Sequence, residues 1–340
     1  MKAVVFEQTG EPGDVLSPRD LDPPSPGPGQ VLVRMLASPV NPSDLMYVRG
    51  QYTLQPSLPA TPGFEGVGVV EKASGGLRSK FMLGKKVCVL SRCGGNWAEY
   101  NAVPATQVIP FSPLLTGEMS VEQAATFFVN PATAFVMTRK VLNVPAGQWL
   151  LQTAAGSVLG RMVIRLGKRF GFKTLCVVRR EEQVEELRSL GADAVLKFDA
   201  ATDSPAECAA RVRELTGGEG VAHAIDCVGG ATGSAVIASL ARHGRLLVFG
   251  TLSGEPLSFS PRDLMTPGAT VTGFWLGNYM ESIKLPARLG LVRTIAGLVR
   301  DGVLASDVAE SFSLDDIETA VQHAERPGHR GKVLLRIGDA

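Results

Sequence analysis

The sequence predicts an α/β protein in which an irregular β domain precedes a parallel, doubly wound one, and three observations carry that prediction. A chain of 340 residues, 45% of them apolar, is longer than one hydrophobic core usually serves, so about two domains are expected. Up to about residue 120 the apolar runs are short and β-like (KAVVF, QVLVRML, GVGVVEKA, KKVCVL) and are broken by Pro and Gly, most strongly at LDPPSPGPGQ. From about residue 125 strands alternate with amphipathic helical runs, the pattern of a parallel sheet. The expected bounds are 1–124 for the β domain, 125–272 for the doubly wound domain, and 273–340 for a return of helix and strand to the first.

The doubly wound half can be justified element by element. A strand at WLLQTA runs into a small-residue turn from Ala154 to Gly160. The helix after it places Leu159, Met162, Val163 and Leu166 on one face and closes near Gly171. Next come the strand TLCVV, the helix EEQVEELRSL ended by Gly191, and the strand AVLKF. Ser204, Pro205 and Glu207 then form a capping-box signature: a hydroxyl at the cap, proline at the first helical position and a carboxylate reaching back. The strand AHAIDCV, the helix ATGSAVIASLARHG and the strand RLLVFG continue toward a six-stranded sheet, which ends around ATVTGFWLG.

Charge and composition exclude several function classes. The 34 basic and 33 acidic side chains nearly cancel to +1, leaving no global field for nucleic acid or an anionic membrane and favouring a small ligand. No stretch approaches the roughly 20 apolar residues that cross a bilayer. The opening MKAVVFEQTG reads as a strand entering a turn, so a soluble, cytoplasmic protein without a targeting segment is expected. Five cysteines, Cys88, Cys93, Cys176, Cys208 and Cys227, form an odd set best read as buried free thiols of a reducing compartment. Cys88 and Cys93 have no second Cys or His pair near them, and His223, His243, His323 and His329 are scattered without metal-ligand spacing.

A dinucleotide pyrophosphate needs backbone N–H groups at a helix N-terminus and small residues that let the chain approach. The segment Ala154-Ala155-Gly156-Ser157-Val158-Leu159-Gly160 lies where that is required, although it is not a strict G-x-G-x-x-G and a tightly packed turn is the competing reading. The end of the following strand sharpens it. An NAD site usually carries an acidic residue there for the ribose 2′-hydroxyl, whereas this chain has Arg179 and Arg180. Guanidinium groups pair a 2′-phosphate, so the cofactor read is NADPH, against solvated arginines leading into an acidic helix.

At this point the chain resembles the medium-chain dehydrogenase/reductase superfamily over essentially its whole length. The likeness rests on PGPGQVLVRM, SPVNPSDLMYVRGQY, PGFEGVGVV, NPATAF, the small-residue turn, AIDCVGG, GFWL and the closing GKVLL. It implies a GroES-like catalytic domain joined to a Rossmann domain. Zinc members of that superfamily carry a Cys near the position of Asn41 to Asp44, Gly-His-Glu where this chain has Gly63-Phe64-Glu65, and clustered cysteines near residues 90 to 110, where only Cys93 stands here. Phe64 cannot ligate a metal, so no metal is expected, and Glu65 is left as a structural carboxylate.

Within the zinc-free branch the chain is similar both to quinone oxidoreductases and to mitochondrial-type 2-enoyl thioester reductases. Asn41-Pro42-Ser43-Asp44 followed by Gly50-x-Tyr52, together with Asn130-Pro131, Ser157, Cys227 to Gly230 and Phe274-Trp275-Leu276, is similar to the latter. That resemblance implies NADPH-dependent reduction of an enoyl thioester C=C bond, with Tyr52 as the catalytic phenol. Tyr47 is the neighbouring tyrosine, and packing alone is the competing role for Tyr52.

The remaining roles are also implied by resemblance. Asn130 would approach the nicotinamide ribose, or else cap its helix. Gly156, Ser157, Val158 and Leu159 would face the phosphates, with Val158 departing from the usual glycine. Phe249, Gly250, Thr251 and Leu252, and Phe274, Trp275, Leu276 and Gly277, would line the nicotinamide through main-chain groups, Phe274 and Trp275 alternatively being core. Lys332 would add positive charge near the cofactor. Separately, a coenzyme A or carrier phosphate wants a basic rim, for which Arg49 and Arg78 are available, with plain surface charge the simpler reading. The partners implied are a small-molecule substrate and a second copy of the chain paired through residues 245 to 275. A quinone or enone reductase, and a non-catalytic NADPH-binding protein of the crystallin or sensor kind, are the rivals.

Overall fold

The computed structural model describes residues 1–112, 116–328 and 330–338, which leaves His329 outside the described residues. It divides into two compact units, Met1–Val129 with Ala305–Ala340, and Asn130–Leu304. The first is built on a seven-stranded sheet in which Gln30–Pro39 pairs with Lys332–Arg336, Glu65–Ala73 and Tyr100–Pro104, all antiparallel. The alternation of Val31, Val33 and Met35 places these side chains in one core with Val70, Val87 and Val89. A small antiparallel pair, Lys2–Val5 with Ser17–Asp20, completes the expected β domain.

The second unit holds a six-stranded, wholly parallel sheet. From edge to edge its strands are Ala194–Lys197, Lys173–Val178, Trp149–Gln152, Val221–Asp226, Leu240–Val248 and Thr270–Gly273. Numbered along the chain this is the order 3-2-1-4-5-6, the Rossmann arrangement. The connecting helices end as their sequences require: Val158–Phe170 at Gly171 and Glu182–Leu190 at Gly191, both glycines left-handed. Pro205–Leu215 begins at the Ser204 and Glu207 capping box.

Two expectations are corrected. The helix read through ATGSAVIASLARHG stops at Ala238, because Leu240 pairs with Val221 and the strand Leu240–Val248 starts there. Its register breaks before His223↔Arg245, and His243 takes φ +58. Residues 273–304 also group with the second unit rather than returning to the first. The helix Leu285–Arg300 accounts for this, since it buries Leu291, Val292, Ile295, Ala296, Leu298 and Val299.

Candidate active site

In the second unit the cofactor candidates cluster beyond the C-terminal ends of strands. Gly156, Ser157, Val158 and Leu159 follow Trp149–Gln152, and Arg179 and Arg180 follow Lys173–Val178. Phe249, Gly250, Thr251 and Leu252 follow Leu240–Val248, and Phe274, Trp275, Leu276 and Gly277 follow Thr270–Gly273. In a 3-2-1-4-5-6 sheet the ligand crevice opens at that edge, where strand order reverses between Trp149–Gln152 and Val221–Asp226.

Local chemistry explains the turn. Ala154 takes φ +46, and the Ser157 hydroxyl caps the helix by accepting from the Gly160 N–H at 3.1 Å. A Cβ on Gly160 would stand 2.5 Å from the Ala155 carbonyl oxygen, so close helix–strand packing demands glycine. Val158 is buried in the first helical turn, which absorbs the departure from glycine, while Leu159 is half-buried. Arg179 is exposed and Arg180 half-buried, and neither guanidinium has a hydrogen-bond or ion-pair partner among the described residues. These residues fit a 2′-phosphate at the end of the second strand.

Sequence reading missed the polar lock at the switch point itself. Thr153 donates its hydroxyl to Asp226 Oδ1 at 2.5 Å and accepts from the Cys227 N–H at 3.2 Å. Asp226, fully buried, also accepts from the N–H groups of Val228 and Gly229, each at 3.0 Å. Two adjacent central strands are thereby tied together just where they end. The available signal was a polar residue following each apolar strand, Thr153 after WLLQ and Asp226 within AIDCVGG.

The amides of Phe249, Leu252 and Phe274 donate to the carbonyls of Asp226, Cys227 and Val248 at 2.8, 3.0 and 2.7 Å. Those three N–H groups therefore fix the loops instead of facing a ligand. Trp275 is 37% exposed and opens the helix Leu276–Ser282, whose first turn holds Leu276 and Gly277; it is surface, not core.

In the first unit Gly50 takes φ +69, and a Cβ there would press on Thr9 at 3.1 Å. This turn carries the chain from the helix Pro42–Val48 to Tyr52, whose half-buried ring lies 5.3 Å from that of Phe64. Tyr47 is distinguished from it by burial. Its hydroxyl donates to the Cys93 carbonyl at 3.4 Å, and burial raises its pKa.

Beneath these tyrosines lies a buried charge cluster. Asp44 accepts from the N–H groups of Asn41 and Phe64 at 2.8 and 2.9 Å, and burial pushes its pKa up to about 7. Burial also raises Glu65, whose Oε1 accepts from the amides of Phe128 and Val129, each at 2.8 Å. Asn130 is the second residue of the helix Val129–Val136, so the capping role offered for it falls to Glu65 instead. Lys332 is buried, donates to Asn41 Oδ1, and acts on both carboxylates; burial lowers its pKa against their pull. Its ammonium is engaged by Asn41 within the first unit. Arg49 is likewise engaged, bridging Glu11 and Glu325 at 2.7 Å each.

This donor set does not fit zinc. Asp44 and Glu65 are occupied by backbone amides, Lys332 adds a positive charge near both, and Phe64 carries no ligand atom. Among the described residues no group of three His, Cys, Asp or Glu is placed to hold a metal ion. Cys93 is exposed, while Cys88, Cys176, Cys208 and Cys227 are buried, their pKa values raised by burial.

Comparison with known proteins is consistent with this geometry. Residues 27–113 match the alcohol dehydrogenase GroES-like domain, and residues 158–289 match the family described as zinc-binding dehydrogenase. The mitochondrial enoyl-[acyl-carrier-protein] reductase of Arabidopsis thaliana is 31% identical over 308 residues, covering 89% of this chain and 79% of that protein. One from Caenorhabditis elegans is 32% identical over 306 residues, covering 88% and 84%. The chain belongs to the medium-chain dehydrogenase/reductase superfamily. Among solved members of the superfamily, a putative NADPH:quinone reductase from Bacillus thuringiensis superposes with a TM-score of 0.88 at 32% identity, covering 98% of each chain. The Escherichia coli quinone oxidoreductase complexed with NADPH gives 0.87 at 25% identity, covering 99% of this chain and 100% of that one.

Proposed function

We propose that this superfamily member is an NADPH-dependent oxidoreductase that reduces the C=C bond of 2-enoyl thioesters. Bound NADPH supplies the hydride to the β-carbon. The chain's own residues do the rest. The N–H groups opening the helix Val158–Phe170 would hold the pyrophosphate, and Arg179 and Arg180 would supply the positive charge for the 2′-phosphate. The Tyr52 phenol donates a hydrogen bond to the thioester oxygen as enolate charge develops, and assists protonation at the α-carbon. The observation that carries this reading is the pair of unpartnered arginines at the end of the second strand of a 3-2-1-4-5-6 sheet. The Gly50 turn that presents Tyr52 favours the thioester.

Reduction of a quinone or small enone is the second reading, favoured by the solved relatives. It needs no phenolic donor. NADPH and NADH oxidation with crotonyl-coenzyme A and with a benzoquinone separates the two. NADPH-specific thioester turnover that falls about 100-fold or more in Tyr52→Phe is expected. Turnover of quinone alone overturns the thioester assignment. We further propose a cytoplasmic homodimer. Among the described residues the sheet edge Thr270–Gly273 pairs on one side only, and Met265, Leu285 and Leu289 nearby in sequence are 77%, 57% and 46% exposed. Light scattering that gives a monomer mass removes the dimer.

A further inference from the structure

The near-zero net charge averages over an uneven distribution of charge along the chain. Between Glu71 and Glu99 the sequence contains no acidic residue, but holds Lys72, Arg78, Lys80, Lys85, Lys86 and Arg92. At the centre of this segment the helix Leu77–Met82 joins the strands Glu65–Ala73 and Lys86–Leu90. Its inner side is fixed: Met82 packs into the core with Val70 and Val87, and the Ser79 hydroxyl donates to the Gly75 and Gly76 carbonyls. An ordinary surface helix would then turn polar residues outward.

This helix exposes apolar residues among its basic ones. Leu77 is 90% exposed and Phe81, four positions on and hence on the same face, is 68% exposed; Leu83, just past the end, is 55% exposed. The Lys85 ammonium stands 3.1 Å from the centre of the Phe81 ring, so cation and apolar tip share one site. Arg78 is held beside them by donating to the Ala105 carbonyl at 3.0 Å.

We propose that this basic, apolar knob is a peripheral docking point for a bilayer carrying anionic lipid. Leu77, Phe81 and Leu83 enter the boundary between headgroups and acyl chains, while Lys72, Arg78, Lys80 and Lys85 face lipid phosphates. Charge complementarity selects an anionic surface. The apolar tips project from a helix whose inward face is already packed, a shape that suits a deformable interface better than the rigid pocket of a protein partner. The contact is interfacial only, as no helix among the described residues is long and apolar enough to cross a membrane. It stands independently of the reaction assigned above.

The test is co-sedimentation of the full chain with phosphatidylcholine vesicles, with and without about 30% phosphatidylglycerol, at low and at near-physiological salt. Binding to the anionic vesicles alone is expected. Leu77→Ser with Phe81→Ser, and separately Lys80→Glu, should each weaken it by about tenfold, with NADPH oxidation unchanged. No binding to anionic vesicles at low salt overturns the proposal. So does binding that salt abolishes and the Leu77→Ser, Phe81→Ser variant leaves intact, which would be charge alone. Capture on immobilised poly-glutamate that the same serine variant loses, without vesicle binding, would give the surface to an acidic protein instead.

Discussion

Both units bury carboxylates against backbone amides, but only the first adds a cation. In the first, Asp44 and Glu65 also feel the field of the Lys332 ammonium, which lowers their pKa values against the rise that burial imposes. In the second, Asp226 is held by a hydroxyl and two backbone amides, all neutral donors. The difference teaches what each site does. An ion cluster loses heavily when one member is removed, and here it fixes the peptide that leads into Asn130. A carboxylate ringed by neutral donors instead orders the backbone around it, the kind of pre-set polar environment a cofactor needs at a switch point.

The sharpest way to break this contrast is Lys332→Met. At pH 8, where Asp44 is ionised, it leaves two buried carboxylates without the nearby cation, and a loss of about 3–5 kcal/mol in urea unfolding is expected. An unchanged midpoint would mean that the amides alone satisfy Asp44 and Glu65.

The cluster should also respond to pH. Asp44 titrates at about 7 when folded against an ordinary value of 3.8. The folded state therefore keeps a proton that the unfolded chain has released. Its contribution is fully present below the ordinary value and declines as pH rises to about 7. The expected decline is roughly 1 kcal/mol for each pH unit. Unfolding of the wild type and Asp44→Asn at pH 4, 6 and 8 should show the difference moving steadily in the variant's favour. A constant difference would show that Asp44 stays ionised.

In the second unit, Asp226→Asn puts an amide donor against an existing donor. A loss of about 1.5–3 kcal/mol is expected, with weaker NADPH binding in a fluorescence titration. Lost stability with unchanged NADPH affinity would make the lock purely architectural.

Much of the second unit was legible in the sequence because its signals are local. Gly171, Gly191 and the Ser204–Glu207 box lie within a few residues of the helix ends they set. The misread helix after Gly230 shows where such signals fail. Its pattern continues past Ala238, yet the Ser239 hydroxyl folds back to the Ala235 carbonyl at 2.6 Å and Leu240 is claimed by Val221. Strand pairing outweighed local propensity there. The lock between Thr153 and Asp226, and the cluster of Asn41, Asp44, Glu65 and Lys332, join residues far apart in the chain. No spacing rule exposes them, so Glu65 reads only as a structural carboxylate and Lys332 only as a positive charge near the cofactor.

The strand Lys332–Arg336 pairs with Gln30–Pro39 across nearly the whole chain. As the polypeptide leaves the ribosome, the second unit is therefore a continuous stretch that can organise early. The first unit has to wait for its closing strand, and Asp44 and Glu65 lack their counter-ion until that strand arrives. Synthesis that stops short of Lys332 would leave the Rossmann half intact beside an unfinished partner, a ready substrate for chaperones.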